Sequence, residues 1–133
     1  MTSKGKTIIY VDDDEDDRDI FREVMRDVNP KLDLVLAKDG QDALQKLQVL
    51  DPICLFIDMN MPKMNGLQLL TILKGDPALA TIPAFILTTA LTPAQTLEVK
   101  SLGAQDYLIK PSSFEEFKNL LKTNLQKHFG LVL

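Results

Sequence analysis

Short apolar runs alternate with amphipathic segments along the whole chain. Residues 7–11, 33–37, 53–57, 84–88 and 107–109 are rich in Ile, Leu, Val and aromatic side chains, with no polar position at every second step. Such continuous runs predict strands covered on both faces rather than strands with one wet face. Between them, residues recur at helical spacing: Ile20, Val24 and Val28, then Ala43, Leu44 and Leu47, then Leu67, Leu70 and Leu73. Asp39 is the expected N-cap of the second helix. The fourth helix opens on Thr92-Pro93-Ala94-Gln95 and the fifth on Ser113-Phe114-Glu115-Glu116, both capping-box patterns; Phe114, Phe117, Leu121 and Leu125 stripe the fifth. Five strands alternating with five helices predict a doubly wound α/β domain. Its five-stranded sheet is parallel, with helices on both faces, because parallel strands require right-handed crossovers.

Composition narrows the picture. At 133 residues and 45% hydrophobic, the chain suits a single domain over residues 1–133 with a core of about 6–129. A net charge of −4 provides no basic face for nucleic-acid phosphates, so direct nucleic-acid binding is not expected. The first apolar run is too short for a signal peptide or a membrane helix, and no membrane association is expected. The lone Cys54 sits among Ile53, Leu55, Phe56 and Ile57, which points to a buried strand position in a reducing, cytoplasmic compartment. Met1 shortly before the first strand fits a natural start, and no output domain is expected after the fifth helix.

In a sheet of this kind, ligands gather beyond the carboxyl ends of the strands. The first strand runs into Asp12-Asp13-Asp14-Glu15-Asp16-Asp17, and the third into Asp58. If those strands are neighbours, Asp12, Asp13 and Asp58 converge, and three crowded carboxylates call for a hard divalent cation. Glu15, Asp16 and Asp17 have a simpler explanation as acids in the first turn of a helix, favoured by its dipole. The fourth strand ends in Thr88-Thr89-Ala90 and the fifth in Lys110-Pro111, adding a hydroxyl and an ammonium around a site fit for a phosphoryl group. Asp58 would then be the nucleophile, and its product an acyl phosphate. Neither a Gly-x-x-x-x-Gly-Lys-Ser/Thr loop nor a Gly-x-Gly-x-x-Gly fingerprint is present, which leaves a phosphoprotein or small acyl phosphate as donor.

Four stretches carry a resemblance that runs from about Lys6 to Phe129: Ile8-Ile9-Tyr10-Val11-Asp12-Asp13, Asp58-Met59-Asn60-Met61-Pro62-Lys63-Met64-Asn65-Gly66, Thr88-Thr89-Ala90, and Gly103 through Pro111. Together they resemble the receiver domain of two-component response regulators, in a stand-alone form similar to chemotaxis regulators. The resemblance implies a flavodoxin-like sheet of order 2-1-3-4-5. It also implies that Asp58 is the phospho-acceptor, and that Asp13, Asp58 and the Asn60 backbone carbonyl bind Mg2+ with Asp12 supporting them from beside. Thr88 and Lys110 would hold the phosphoryl oxygens, and Tyr107 would be the aromatic switch residue that follows Thr88. A cis Lys110-Pro111 bond would aim the lysine inward. The implied partners are a sensor histidine kinase or phosphotransfer protein and a downstream protein target. The implied signal is a change in the face formed by the fourth helix, fifth strand and fifth helix. The protein would catalyse only its own phosphorylation and dephosphorylation.

Thr89 stands where the family usually has a smaller residue, which would restrict access to Asp58, and Asn60 and Ala90 occupy variable positions that influence phosphoryl lifetime. Two alternatives stay open: a degenerate receiver that binds a partner without phosphorylation, and a magnesium-dependent phosphatase that uses an aspartyl phosphate. The latter usually needs a second acid two residues after the nucleophile, where this chain has Asn60. His128, near the end of the last helix, is expected to interact with free carbonyls rather than to donate phosphoryl. Met25, Met59, Met61 and Met64 read as packing and motif residues, and Leu131-Val132-Leu133 as a tail that docks or frays.

Overall fold

A computed structural model describes residues 7–130 of the chain. Five strands and five helices alternate: β1 (Thr7–Val11), α1 (Glu15–Val28), β2 (Asp33–Ala37), α2 (Gly40–Lys46), β3 (Cys54–Asp58), α3 (Gly66–Gly75), β4 (Ala84–Thr88), α4 (Pro93–Ser101), β5 (Asp106–Ile109) and α5 (Phe114–Phe129). All strand pairs are parallel, in the order β2-β1-β3-β4-β5. The expected fold class and strand order are both found. The tail Leu131-Val132-Leu133 and the start of the resemblance at Lys6 lie outside the described residues.

The period-2 geometry of the strands sorts their side chains into two cores. Ile9, Val11, Leu55, Ile57 and Ile86 meet Ala43 of α2 and Leu47 that caps it, Leu69, Leu70 and Leu73 of α3, and Val99 of α4. On the other face, Ile8, Tyr10, Cys54, Phe56, Phe85 and Leu87 meet Phe21, Val24, Met25 and Val28 of α1 and Phe117, Leu121 and Leu125 of α5. β1, β3 and β4 are buried throughout. The edge strands β2 and β5 are only partly covered, contrary to the expectation for all five, because each has a neighbour on one side only.

Helix starts follow the sequence signals. Asp39 accepts the Asp42 amide at the head of α2, and Thr92 with Gln95 forms a reciprocal capping box on α4. Ser113 accepts the Glu116 amide, but Glu116 returns to the Ser113 hydroxyl instead of its backbone. An unforeseen second capping box, Asn65 with Gln68, opens α3. Two residues assigned to apolar stripes, Ile20 and Phe114, are 46% and 44% exposed. Both border a groove of about 250 Å3 where the amino-terminal ends of α1 and α5 part beside Lys110, at the carboxyl edge of the sheet.

Gly66 locks the start of α3 against the end of β3. A Cβ there would lie 2.6 Å from the Asp58 carbonyl oxygen and 2.9 Å from Met59 Cα, both backbone atoms that cannot swing aside. Replacing Gly66 with alanine is therefore expected to cost about 1–3 kcal/mol of stability, read from the urea midpoint. An unchanged midpoint would show that the β3–α3 junction yields freely.

Candidate functional site

The acidic site forms because β1 and β3 are adjacent, with Val11 in register with Ile57. One residue further along, Asp58 closes β3 and Asp12 follows the end of β1 at the same level, with Asp13 after it. Carboxylate oxygens of Asp12, Asp13 and Asp58 all lie within 4.8 Å of one another. Asp12 and Asp58 are buried, whereas Asp13 faces solvent. An all-oxygen donor set of this charge, open on one side, matches a small hard dication such as Mg2+.

Lys110 offsets part of this charge. Its ammonium lies 3.1 Å from Asp58 Oδ1, 3.3 Å from Asp12 Oδ2 and 3.4 Å from Asp17 Oδ2. Burial by itself pulls the ammonium toward neutrality, but Asp12, Asp58 and Asp17 outweigh it and hold Lys110 charged above its usual range. Asp58 behaves in the opposite way. Burial pushes its carboxyl up to about 6; Lys110 resists the rise, and Asp12 and Asp13 add to it. A carboxylate so destabilised as an anion gains from any cation that arrives beside it.

Asp12 is held from several sides. Tyr10 donates its hydroxyl to Oδ2, the Asp14 amide donates to Oδ1 at 3.0 Å, and Arg18 donates to the Asp12 backbone carbonyl at 2.8 Å. Burial, followed by the Asp12 charge, pushes the Tyr10 phenol far up, so it remains a donor at any ordinary pH. Neither Tyr10 nor the Asp17–Lys110 pair was foreseen. Tyr10 precedes Asp12 by two residues and therefore shares its strand face, a signal available in the sequence. Asp17 serves the helix dipole as expected and also reaches Lys110.

The remaining predicted residues are placed unevenly. Thr88 is 2% exposed and ends β4 beside Asp58's register partner Leu87, but its hydroxyl donates to the Ala90 carbonyl at 3.2 Å. Asn60 is exposed just beyond β3. Tyr107 is half-buried against the α2/α3/α4 core, with the Lys100 ammonium 5.8 Å from its ring centre. The Lys110–Pro111 bond is trans, because no cis peptide occurs among the described residues. The lysine reaches the acids directly from the end of β5, where its amide is fixed to the Thr88 carbonyl at 2.7 Å, and the trans form is the lower in energy for an X–Pro bond. His128 rests against Phe85 at 5.0 Å. Phe85 is the second residue of β4, so the imidazole sits toward the opposite end of the sheet. Cys54 is free and buried, which pushes its thiol up and leaves it unreactive.

Known proteins are similar to this chain in sequence and fold. The family model described as "response regulator receiver domain" matches residues 8–122. Protein PilG of Pseudomonas aeruginosa is 28% identical over 123 residues, 92% of this chain and 90% of PilG. Chemotaxis protein CheY1 of Helicobacter pylori is 30% identical over 114 residues, covering 83% of this chain and 92% of CheY1. Among solved structures, Vibrio cholerae chemotaxis protein CheY4 superposes with a TM-score of 0.80 at 28% identity, covering 92% of this chain and 97% of CheY4.

Proposed function

Since the chain belongs to the response-regulator receiver family, we propose that it is a single-domain phosphorelay switch over residues 1–133 that accepts a phosphoryl group on Asp58 in a magnesium-dependent reaction. The observation that carries this reading is the convergence of Lys110 with three carboxylates at the carboxyl edge of the sheet. Asp13, Asp58 and the Asn60 carbonyl would hold the ion, with Asp12 beside them. When bound, magnesium supplies positive charge that neutralises Asp58 and the incoming phosphoryl oxygens.

The chain's own groups do the rest. A carboxylate oxygen of Asp58 forms the new P–O bond as the P–N bond of a phosphohistidine donor breaks; the electron pair returns to the imidazole, which takes a proton from solvent. Lys110, already 3.1 Å from Asp58, offsets charge on the transferring group. Tyr10 and the Asp14 amide keep Asp12 in place. The groove beside Lys110, edged by Ile20 and Phe114, gives a histidine kinase or phosphotransfer protein an apolar approach to the acids. Thr88 would exchange its 3.2 Å bond to Ala90 for a phosphoryl oxygen, and Tyr107 would follow into the vacated space, reshaping the α4–β5–α5 face for a downstream protein target in the cytoplasm. The protein would thus turn over only its own phosphoryl group. A phosphatase reading is weaker, since Asn60 provides no acid two residues beyond Asp58. A partner-binding receiver without phosphorylation would have no need of the Lys110–Asp58 pair.

Incubation with acetyl phosphate and magnesium, followed by intact-mass measurement, tests the proposal. A single phosphoryl adduct is expected on the wild type, and none after chelation or in Asp58→Asn. An adduct of equal yield in Asp58→Asn would refute it.

A further inference from the structure

Tyr10 is 1% exposed and stacked on Phe21, with ring centres 3.9 Å apart and planes 7° from parallel. The packing there needs only a ring, and a buried hydroxyl costs free energy unless it is bonded. Its one hydrogen goes to Asp12 Oδ2. That oxygen also faces Lys110 at 3.3 Å, while Oδ1 accepts the Asp14 amide at 3.0 Å. A carboxylate has about four acceptor directions. In Asp12, groups of the chain itself occupy three of them, so this acid enters the cluster with most of its capacity already committed. Asp13 is exposed and Asp58 meets Lys110, and neither receives a comparable set of donors.

Building on the reading of the acidic cluster as a magnesium site, we propose that Tyr10 is a positioning residue whose hydroxyl ties Asp12 away from the metal, keeping Asp13 and Asp58 as the carboxylate ligands and holding the ion more loosely than three free carboxylates would. A donor hydrogen bond withdraws charge from Asp12 Oδ2. Without it, the carboxylate is freer to turn and attract a cation.

Tyr10→Phe keeps the ring and its stack on Phe21 and removes only the hydroxyl. Mn2+ binding, followed through the loss of the free-ion paramagnetic resonance signal, needs no phosphoryl chemistry. Tyr10→Phe is expected to bind Mn2+ about three- to tenfold more tightly than the wild type, and the gain is expected to vanish when Asp12→Asn is added to both. A purely structural contribution predicts the reverse sign, since loosening the site weakens binding. Equal or weaker Mn2+ affinity in Tyr10→Phe, or a gain that persists in the Asp12→Asn background, would overturn the proposal. Tyr10→Phe is expected to keep the wild-type circular dichroism spectrum, since the ring and its stack on Phe21 remain. Failure of the wild type itself to bind Mn2+ would instead overturn the metal site on which the inference rests.

Discussion

Replacing Lys110 with alanine is expected to slow phosphoryl uptake on Asp58 by about 100-fold at saturating magnesium, the usual scale for removing one preorganised group that meets transition-state charge. The ammonium stands 3.1 Å from Asp58 on a side chain that is only 14% exposed, so water replaces it poorly. Two effects reinforce each other. The transferring phosphoryl loses a fixed positive partner, and Asp58 loses the one neighbour that counters the upward push of burial and of Asp12. Meanwhile the cluster becomes more negative, so metal affinity should rise even as uptake falls. Measuring Mn2+ affinity and acetyl phosphate kinetics on the same variant separates the two, and an uptake rate within threefold of wild type would remove Lys110 from the chemistry.

The second large effect concerns stability. Asp58 rises from an ordinary 3.8 to about 6 in the folded, metal-free protein, first because it is buried and then because Asp12 and Asp13 crowd it. Between these two values the native state holds more protons than the unfolded chain, so stability falls as pH rises through the interval and the full penalty remains above pH 6. The shift caps this penalty at about 3 kcal/mol. Water at the open mouth screens part of it, leaving about 1–2 kcal/mol. Asp58→Asn should therefore raise the metal-free melting temperature by about 3–8 °C at pH 7.5 and change it little near pH 3.5. Added magnesium should stabilise the wild type and do much less for the variant. A variant less stable than wild type at pH 7.5 would contradict this account of the site.

Most of the fold was legible because the strands are written as uninterrupted apolar runs and the caps as Asp39, Thr92 and Ser113. Ile20 and Phe114 were misassigned because helical spacing identifies a stripe but not where a seam between two helices opens. The acids were legible for a similar reason: Asp12, Asp13 and Asp58 follow buried strands, where a carboxylate is costly without a purpose. Asp17 was harder, since four acids in succession all suit the start of a helix and only the rotation of α1 decides which one faces Lys110. Tyr10 was hidden by its bulk, which explains its burial so well that the hydroxyl drew no attention. The cis bond before Pro111 was inferred by resemblance alone, and the backbone at the end of β5 delivers the lysine without it.

The site also shows how a small cluster meets opposing demands. Burial makes Asp58 a poor anion by itself and Lys110 counters it, so the proposed reaction would depend on positive charge supplied by β5 and by a divalent ion from solution. Thr88 is buried too, and its hydroxyl donates to the Ala90 carbonyl at 3.2 Å, a bond that in the proposed switch would give way to a phosphoryl oxygen.

The most direct test of the central claim is to locate the phosphoryl group itself. Treating the acetyl phosphate-labelled protein with borohydride reduces an aspartyl phosphate to homoserine, and peptide fragmentation then reads its position. The account predicts homoserine at position 58 and nowhere else. Homoserine at Asp12 or Asp13, or none at any position, would contradict it.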